Sequence, residues 1–249
     1  MQESVGNTQK GRISKRTVTA LVISAVLTVA VIVATVVFGD DNYYLASFAI
    51  IILTIMPFFA SFEGRRPQAR ELVVLAVLIA IAVAARSAFF WLPAFKPMTA
   101  IIIVSGIALG ASGGFMCGSL AAFVSNFLFG QGPWTPWQML AYGLAGLVAG
   151  LLAQKGLIPR HSLSNKAKLA LSFGSALFVL LIVGPILDTC AVFTMPADEI
   201  EHFSVAAIYL SGLPVNIVHA LATLVTVFVV ANPMLDKLER MRVKYGMLS

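Results

Sequence analysis

The stretch 86–137 reads RSAFFWLPAFKPMTAIIIVSGIALGASGGFMCGSLAAFVSNFLFGQGPWTPW, and it decides how the chain folds. Its middle is almost entirely apolar, while polar and aromatic residues collect at its two ends. Side chains such as Arg86 and Asn126 are costly in hydrocarbon, so they usually face protein, water or a ligand. A simple membrane anchor needs only one featureless apolar span. This stretch is therefore also the main clue to function.

The composition is that of a membrane protein. Of 249 residues, 59% are hydrophobic and 11% are charged, and the mean hydropathy is +0.92. Soluble domains carry about 25% charged residues, so this chain could not cover a surface exposed to water. The first apolar run ends in Gly39-Asp40-Asp41 without a small-residue cleavage site, so we expect a retained helix rather than a signal peptide. The fold class that follows is all-α, a polytopic membrane helical bundle.

Eight apolar segments are candidate spans of this bundle. They are 18–38, 45–62, 72–92, 98–110, 114–129, 138–153, 169–193 and 204–230. The fourth and fifth reach only about 20 and 24 Å at the helical rise of about 1.5 Å per residue. A glycine turn at 111–114 would join them. Such a pair either packs closely as a hairpin with no role in binding, or lines a binding cavity as in transport proteins.

Charge predicts the orientation of these spans. Most of the 17 lysines and arginines fall in four clusters: Lys10, Arg12, Lys15 and Arg16; Arg65, Arg66 and Arg70; Lys155, Arg160, Lys166 and Lys168; Lys237, Arg240, Arg242 and Lys244. The opposite loops carry Asp40, Asp41, Asp198, Glu199 and Glu201. Because positive charge marks the cytoplasmic side, eight crossings place both termini in the cytoplasm. The net charge of +6 is then a topology signal beside the lipid bilayer, and we expect no nucleic-acid partner.

Small residues form a stripe on the third span. Ala76, Ala80 and Ala84 recur every four residues, so they share one smooth helix face. Such stripes let another helix approach closely. The partner helix is either internal or part of a separate subunit.

The polar residues of the later spans leave further alternatives open. Trp134 and Trp137, in the rigid loop 130–137, either anchor at the membrane interface or stack on a flat ligand. Asn216 and His219 share a helix face, and they form either an interhelical hydrogen bond or a proton relay. We expect Pro214 to break the last span near its outer third.

The sequence contains none of the usual catalytic or cofactor motifs. It has no P-loop, HExxH, GxSxG or paired-carboxylate pattern, and its halves do not repeat one another. Cys117 and Cys190 lie in apolar runs without metal-ligand company. We therefore expect a chain that is not an enzyme and that needs no cofactor or metal.

Taken together, the last six spans resemble the substrate-binding S-components of energy-coupling factor (ECF) vitamin transporters. The resemblance rests on the alanine-stripe helix, FWLPAFKP, the glycine-linked hairpin, SNFLFGQGPWTPWQM, GLPVNIVHA and the basic tail PMLDKLERMRVKYG. It implies a six-helix core preceded here by two extra helices, in the cell membrane. It also implies that the alanine stripe docks on an ECF transmembrane scaffold subunit driven by two cytoplasmic ATPase subunits. Within the family, the chain looks most like members linked to cobalamin-type uptake.

This resemblance divides the chain into four parts. Residues 1–17 form a cytoplasmic basic tail, 18–70 a two-helix membrane extension, 71–232 the substrate-binding core and 233–249 a cytoplasmic amphipathic tail. A vitamin-like small molecule would bind at the outer face of the core. The predicted binding residues are Trp91, Phe95, Lys96, Asn126, Gln131, Trp134, Trp137, Tyr142, Asp188, Asn216 and His219. The rival hypothesis is a stand-alone secondary transporter or channel that uses Asp188 and His219. A third, an intramembrane enzyme, lacks a nucleophile–base pair.

Overall fold

A computed structural model describes residues 68–194 and 204–245, together with the helical positions 49, 52, 53, 55, 56, 59, 60 and 62. The predicted basic tail 1–17, the span 18–38 and the acidic residues of 198–201 lie outside these described residues. Their arrangement stays a prediction. The span 45–62 is described only at the isolated positions given above.

Every regular element in the described part of the chain is helical. The elements are α1 (Ala69–Ala88), α2 (Met98–Phe129), α3 (Trp134–Gln154), α4 (Asn165–Phe178), a π-helical turn (Val179–Val183), α5 (Gly184–Thr194) and α6 (Val205–Tyr245). Within residues 68–194 and 204–245, five helices are long and apolar enough to cross a membrane, with 165–193 taken as one. The prediction of an all-α, multi-pass membrane protein is confirmed at this level.

Helix α2 is interrupted near its middle. Gly110 has φ 81° and ψ −179°, which is not helical and favours glycine. A Cβ built on Gly114 would lie 2.7 Å from the Cα of Gly106, although eight residues of straight helix span about 12 Å. The two halves of α2 therefore fold back on one another. The structure contains the expected hairpin, with its break at Gly110 rather than at 111–114.

Glycines bring α2 and α3 into backbone contact. A Cβ on Gly146 would lie 2.1 Å from the carbonyl oxygen of Gly114, and one on Gly118 would lie 2.2 Å from that of Tyr142. Nearly all of α2 is buried as a result, including every residue from Met98 to Gly110. Of the two interpretations of the hairpin, close packing inside the protein fits this burial.

Contacts between the helix ends define two ends of the bundle. Arg86, near the end of α1, bonds to Ser125 near the end of α2. Gly110 lies against Gln154, at the end of α3. We call the end with Arg86 the outer end and the end with Gln154 the inner end, following the predicted topology.

The π-helical turn lies just before Pro185. A proline ring in a helix clashes with the carbonyl four residues earlier, here that of Leu181. A wider turn at Val179–Val183 relieves this clash and joins α4 to α5 without a loop.

Helix α6 contradicts one prediction. It is continuous from Val205 to Tyr245 and contains both Pro214 and Pro233, so the expectation that Pro214 breaks it is wrong. Membrane helices tolerate proline because neighbouring groups satisfy the freed carbonyls. The helix also passes the predicted boundary at 232–233 without interruption, and Leu235 and Leu238 are buried in the core.

The alanine stripe of α1 faces outward. This helix buries Leu75, Leu78 and Ala82. Ala76, Ala80 and Ala84 are exposed. The stripe is therefore available to a partner outside the bundle.

Candidate functional site

A polar network joins α1, α2 and α3 at the outer end. The Arg86 guanidinium donates to the Ser125 hydroxyl and, at 3.0 Å, to the Asn126 Oδ1. Asn126 Nδ2 in turn donates to Thr135 Oγ1 at 3.1 Å, and Thr135 donates to Gln131 Oε1 at 2.9 Å. Two of the predicted binding residues, Asn126 and Gln131, are thus linked through Thr135. The charge-assisted bonds of Arg86 tie α1 to α2, and the neutral bond from Asn126 to Thr135 adds α3.

The aromatic residues of the outer end do not form one stack. Trp134 is 42% exposed, and its indole N–H donates to the Gly130 carbonyl at 3.3 Å. The Trp137 ring stacks on Phe193 of α5, with centroids 5.7 Å apart and planes 24° apart. Helix α3 begins at Trp134, so the predicted loop 130–137 is shorter than expected and both tryptophans lie in the first helical turn.

The two aromatic residues predicted before α2 lie in different surroundings. Trp91 is 64% exposed. Phe95 packs on Phe89 with ring centroids 5.1 Å apart. Ala94, between them, has a left-handed φ of 62°, which turns the chain toward α2.

A second cluster lies deeper, around His219. Its Nε2 lies 2.7 Å from Thr99 Oγ1, and its ring meets Tyr142 edge-on at 5.9 Å. Lys96 and Arg86 are the cations that act electrostatically on His219, and Arg86 also acts on Tyr142. Two predicted residues, Tyr142 and His219, are in contact here, and a third, Lys96, acts on His219 through its charge.

Tyr142 has an unusual feature for a fully buried residue. Its side chain has no exposed surface, and its hydroxyl has no hydrogen-bond partner among the described residues. Gln138 lies one turn earlier on the same helix face, and its Oε1 is also buried without a partner there. Buried polar atoms in proteins are almost always hydrogen-bonded. These two atoms therefore point to a partner that is not part of the described chain, such as a ligand or a water molecule.

Asp188 and Asn216 form a third cluster. Asn216 Nδ2 donates to Asp188 Oδ2 at 2.7 Å across α5 and α6. Close approach is possible because Gly184 and Gly212 leave room beside the two side chains. Asn216 and His219 thus each bond to a different helix, as the hydrogen-bond interpretation of this pair requires.

Several residues of these clusters were not among the predicted ones. The sequence marked Arg86 only as a costly residue at a hydrocarbon boundary. That cost indicated that Arg86 has polar partners inside the protein. Thr99 and Thr135 carry no signal, since threonine is ordinary near helix starts. Gln138 could have been found as a polar residue one turn from Tyr142. In the described residues, no group of three His, Cys, Asp or Glu side chains is placed to hold a metal ion.

A family model described as "ECF-type riboflavin transporter, S component" matches residues 67–240. This range is the greater part of the chain and leaves out the two predicted N-terminal helices. No curated protein and no solved structure matches the chain. The predicted resemblance to S-components is confirmed. The cobalamin-type assignment is not supported, because the matching family is of the riboflavin type.

Proposed function

The chain belongs to the family of ECF-type riboflavin transporter S-components, and on this premise we propose that it captures riboflavin, or a closely related flavin, from outside the cell. S-components work with an ECF scaffold and ATPase modules and bind a vitamin-like substrate. The observation that carries the proposal is the family match over residues 67–240. ATP hydrolysis would then take place in the partner subunits.

Six crossings fit the described helices when the halves of α2 are counted separately. The break at Gly110 supports this count, as does the fold-back that brings Gly106 to Gly114. The basic loop after α3 and the basic end of α6 then lie on one side, which would be cytoplasmic. Both termini would be cytoplasmic if the two N-terminal helices also cross.

The flavin would bind at the outer end, between the Arg86 network and the His219 cluster. A flavin has a flat apolar ring system with carbonyl and N–H groups along one edge. Ligand sites for such molecules are mostly apolar with a few placed polar groups. The unpartnered atoms of Tyr142 and Gln138 are suited to that polar edge. The exposed ring of Trp134 is suited to the flat face.

The alanine stripe would be the docking face for the scaffold subunit. Ala76, Ala80 and Ala84 are exposed on α1, while the opposite face of this helix is buried in the bundle. Association of membrane helices depends on close packing of small residues. An exposed stripe of three alanines is what such a partner helix requires.

Reconstitution separates this proposal from the secondary-transporter hypothesis, which the family match does not favour. Liposomes holding the chain alone should take up no riboflavin under a pH gradient. Liposomes that also hold the scaffold and ATPase subunits should take it up when ATP is supplied. Uptake by the chain alone, driven by the gradient, would overturn the proposal.

A further inference from the structure

An apolar cavity lies at the inner end of the bundle, away from the proposed flavin site. Its volume is 430 Å³, and it lies between α3, α4 and the loop that joins them. Ile103, Ala145, Ala149, Leu163, Gly174 and Phe178 are among its lining residues, and of the described residues that line it only Ser175 has a polar side chain. Ligand pockets have volumes of about 300–1,000 Å³. An apolar cavity of this size offers water few hydrogen bonds, so it suits a hydrocarbon group.

The wall of the cavity is held in place by a paired hydrogen bond. The Leu163 N–H donates to Asn232 Oδ1 at 2.9 Å, and Asn232 Nδ2 donates to the Leu163 carbonyl at 2.9 Å. This pair clamps the loop to α6. Lys168 lies in the first turn of α4, and its ammonium is 4.4 Å from the ring centre of Phe228 on α6. These contacts hold the loop and α4 against α6.

A cation with an unsatisfied buried donor lies beside the cavity in the described part of the chain. Arg160 follows Pro159, which lines the cavity, and its Nε is buried without a hydrogen-bond partner among the described residues. Burial and the neighbouring Arg242 lower the pKa of Arg160, and Glu239 opposes this effect. Glu239 lies 3.6 Å from Arg242 and is shared with it. A partly buried guanidinium in such surroundings favours an added anion.

We propose that the cavity and Arg160 together bind an anionic phospholipid of the cytoplasmic leaflet, with an acyl chain in the cavity and the phosphate at Arg160. The exposed Lys166, in the first turn of α4, adds positive charge around the headgroup. Basic pockets between membrane helices on the cytoplasmic side are suited to anionic headgroups. This site is separate from the proposed flavin site and does not depend on it.

Native mass spectrometry of the purified full chain tests this proposal with two probes, phosphatidylglycerol and phosphatidylcholine. Gly174→Phe places a large apolar side chain at the lining of the cavity, and no atom lies within 4 Å of a Cβ at this position. Arg160→Gln removes the cation. Lys155→Gln makes the same charge change at an exposed position of the same loop and is the matched control.

The wild-type chain should retain phosphatidylglycerol more strongly than phosphatidylcholine. Arg160→Gln should reduce phosphatidylglycerol retention by about fivefold, the equivalent of about 1 kcal/mol for one basic group near the headgroups. Lys155→Gln should change it by less. Gly174→Phe should reduce the retention of both lipids.

Equal retention of the two lipids by the wild-type chain would overturn the proposal. So would unchanged retention in the Gly174→Phe variant, if its thermal unfolding matches that of the wild type. If Gly174→Phe kept its lipid but no longer assembled with the scaffold subunit, the cavity would serve a protein partner and the lipid assignment would be wrong. None of these readouts requires riboflavin.

Discussion

Replacing Tyr142 with phenylalanine removes one buried hydroxyl and leaves the ring contact with His219 in place. In the described part of the chain, that hydroxyl has no hydrogen-bond partner. Among the described residues, no hydrogen bond is therefore lost when the oxygen is removed. We expect Tyr142→Phe to fold normally and to unfold at the same temperature as the wild type or at a higher one.

The effect on riboflavin binding should have the opposite sign. A buried hydroxyl left unsatisfied costs about 1–3 kcal/mol, and the bound flavin would remove that cost in the wild type. The variant cannot gain this energy on binding. Since each 1.4 kcal/mol is a factor of ten, its Kd for riboflavin should rise by about 5- to 140-fold.

The assay combines two measurements on the same purified protein in detergent. Quenching of flavin fluorescence gives the Kd, and thermal unfolding without ligand gives the stability. Tyr209→Phe is the matched control, because the Tyr209 hydroxyl lies 2.6 Å from Thr189 Oγ1. Its loss should destabilise the protein by about 0.5–1.5 kcal/mol and leave the Kd unchanged.

One pattern of results would refute this reasoning. If Tyr142→Phe lowered the unfolding temperature and left the Kd for riboflavin at the wild-type value, the hydroxyl would have an internal partner. The flavin would then not bind at Tyr142.

Three further variants test the packing, the docking face and the outer network. Gly146→Ala should strongly lower the unfolding temperature, because its Cβ would lie 2.1 Å from a backbone oxygen. Gly174→Ala is the control and should not lower it, because there is open space around this position. Equal effects of the two variants would show that α2 and α3 can separate freely. Ala80→Trp should abolish co-purification with the scaffold subunit, whereas Leu221→Trp on an exposed face of α6 should not. An intact complex with Ala80→Trp would show that the scaffold subunit docks on another face. Arg86→Gln should destabilise the protein by about 1.5–3 kcal/mol in thermal unfolding, the value of a hydrogen bond to a charged group. An unchanged unfolding temperature would mean that the bonds of Arg86 to Ser125 and Asn126 contribute nothing to stability.

The sequence predicted the features that depend on local composition. Membrane helices follow from apolar runs, and the hairpin follows from a glycine-rich stretch between two short runs. Even there, the break in helix α2 falls at Gly110, whose φ is in the left-handed region, and not at 111–114. The choice among several adjacent glycines depends on contacts with α3, and these are not visible in a single stretch of sequence.

The prediction at Pro214 failed because proline has a context-dependent effect. In water it breaks a helix, but within a membrane bundle neighbouring groups compensate, and α6 continues through it. The π-helical turn was not predicted, although Pro185 marked its position.

The candidate site was only partly predictable for a similar reason. Tyr142 and His219 lie together, but Thr99 joins them from 120 positions before His219 in the chain. Such a pairing depends on how the helices cross. For Arg86 and Asn126, the energetic cost in lipid pointed to partners inside the protein from the sequence alone.

Equilibrium binding of riboflavin to the purified chain alone is the most direct test of riboflavin capture by this protein. We expect saturable binding of one riboflavin per chain, without scaffold or ATPase subunits, and no displacement by excess thiamine. Absence of saturable riboflavin binding by a chain that is folded by thermal-unfolding criteria would contradict it.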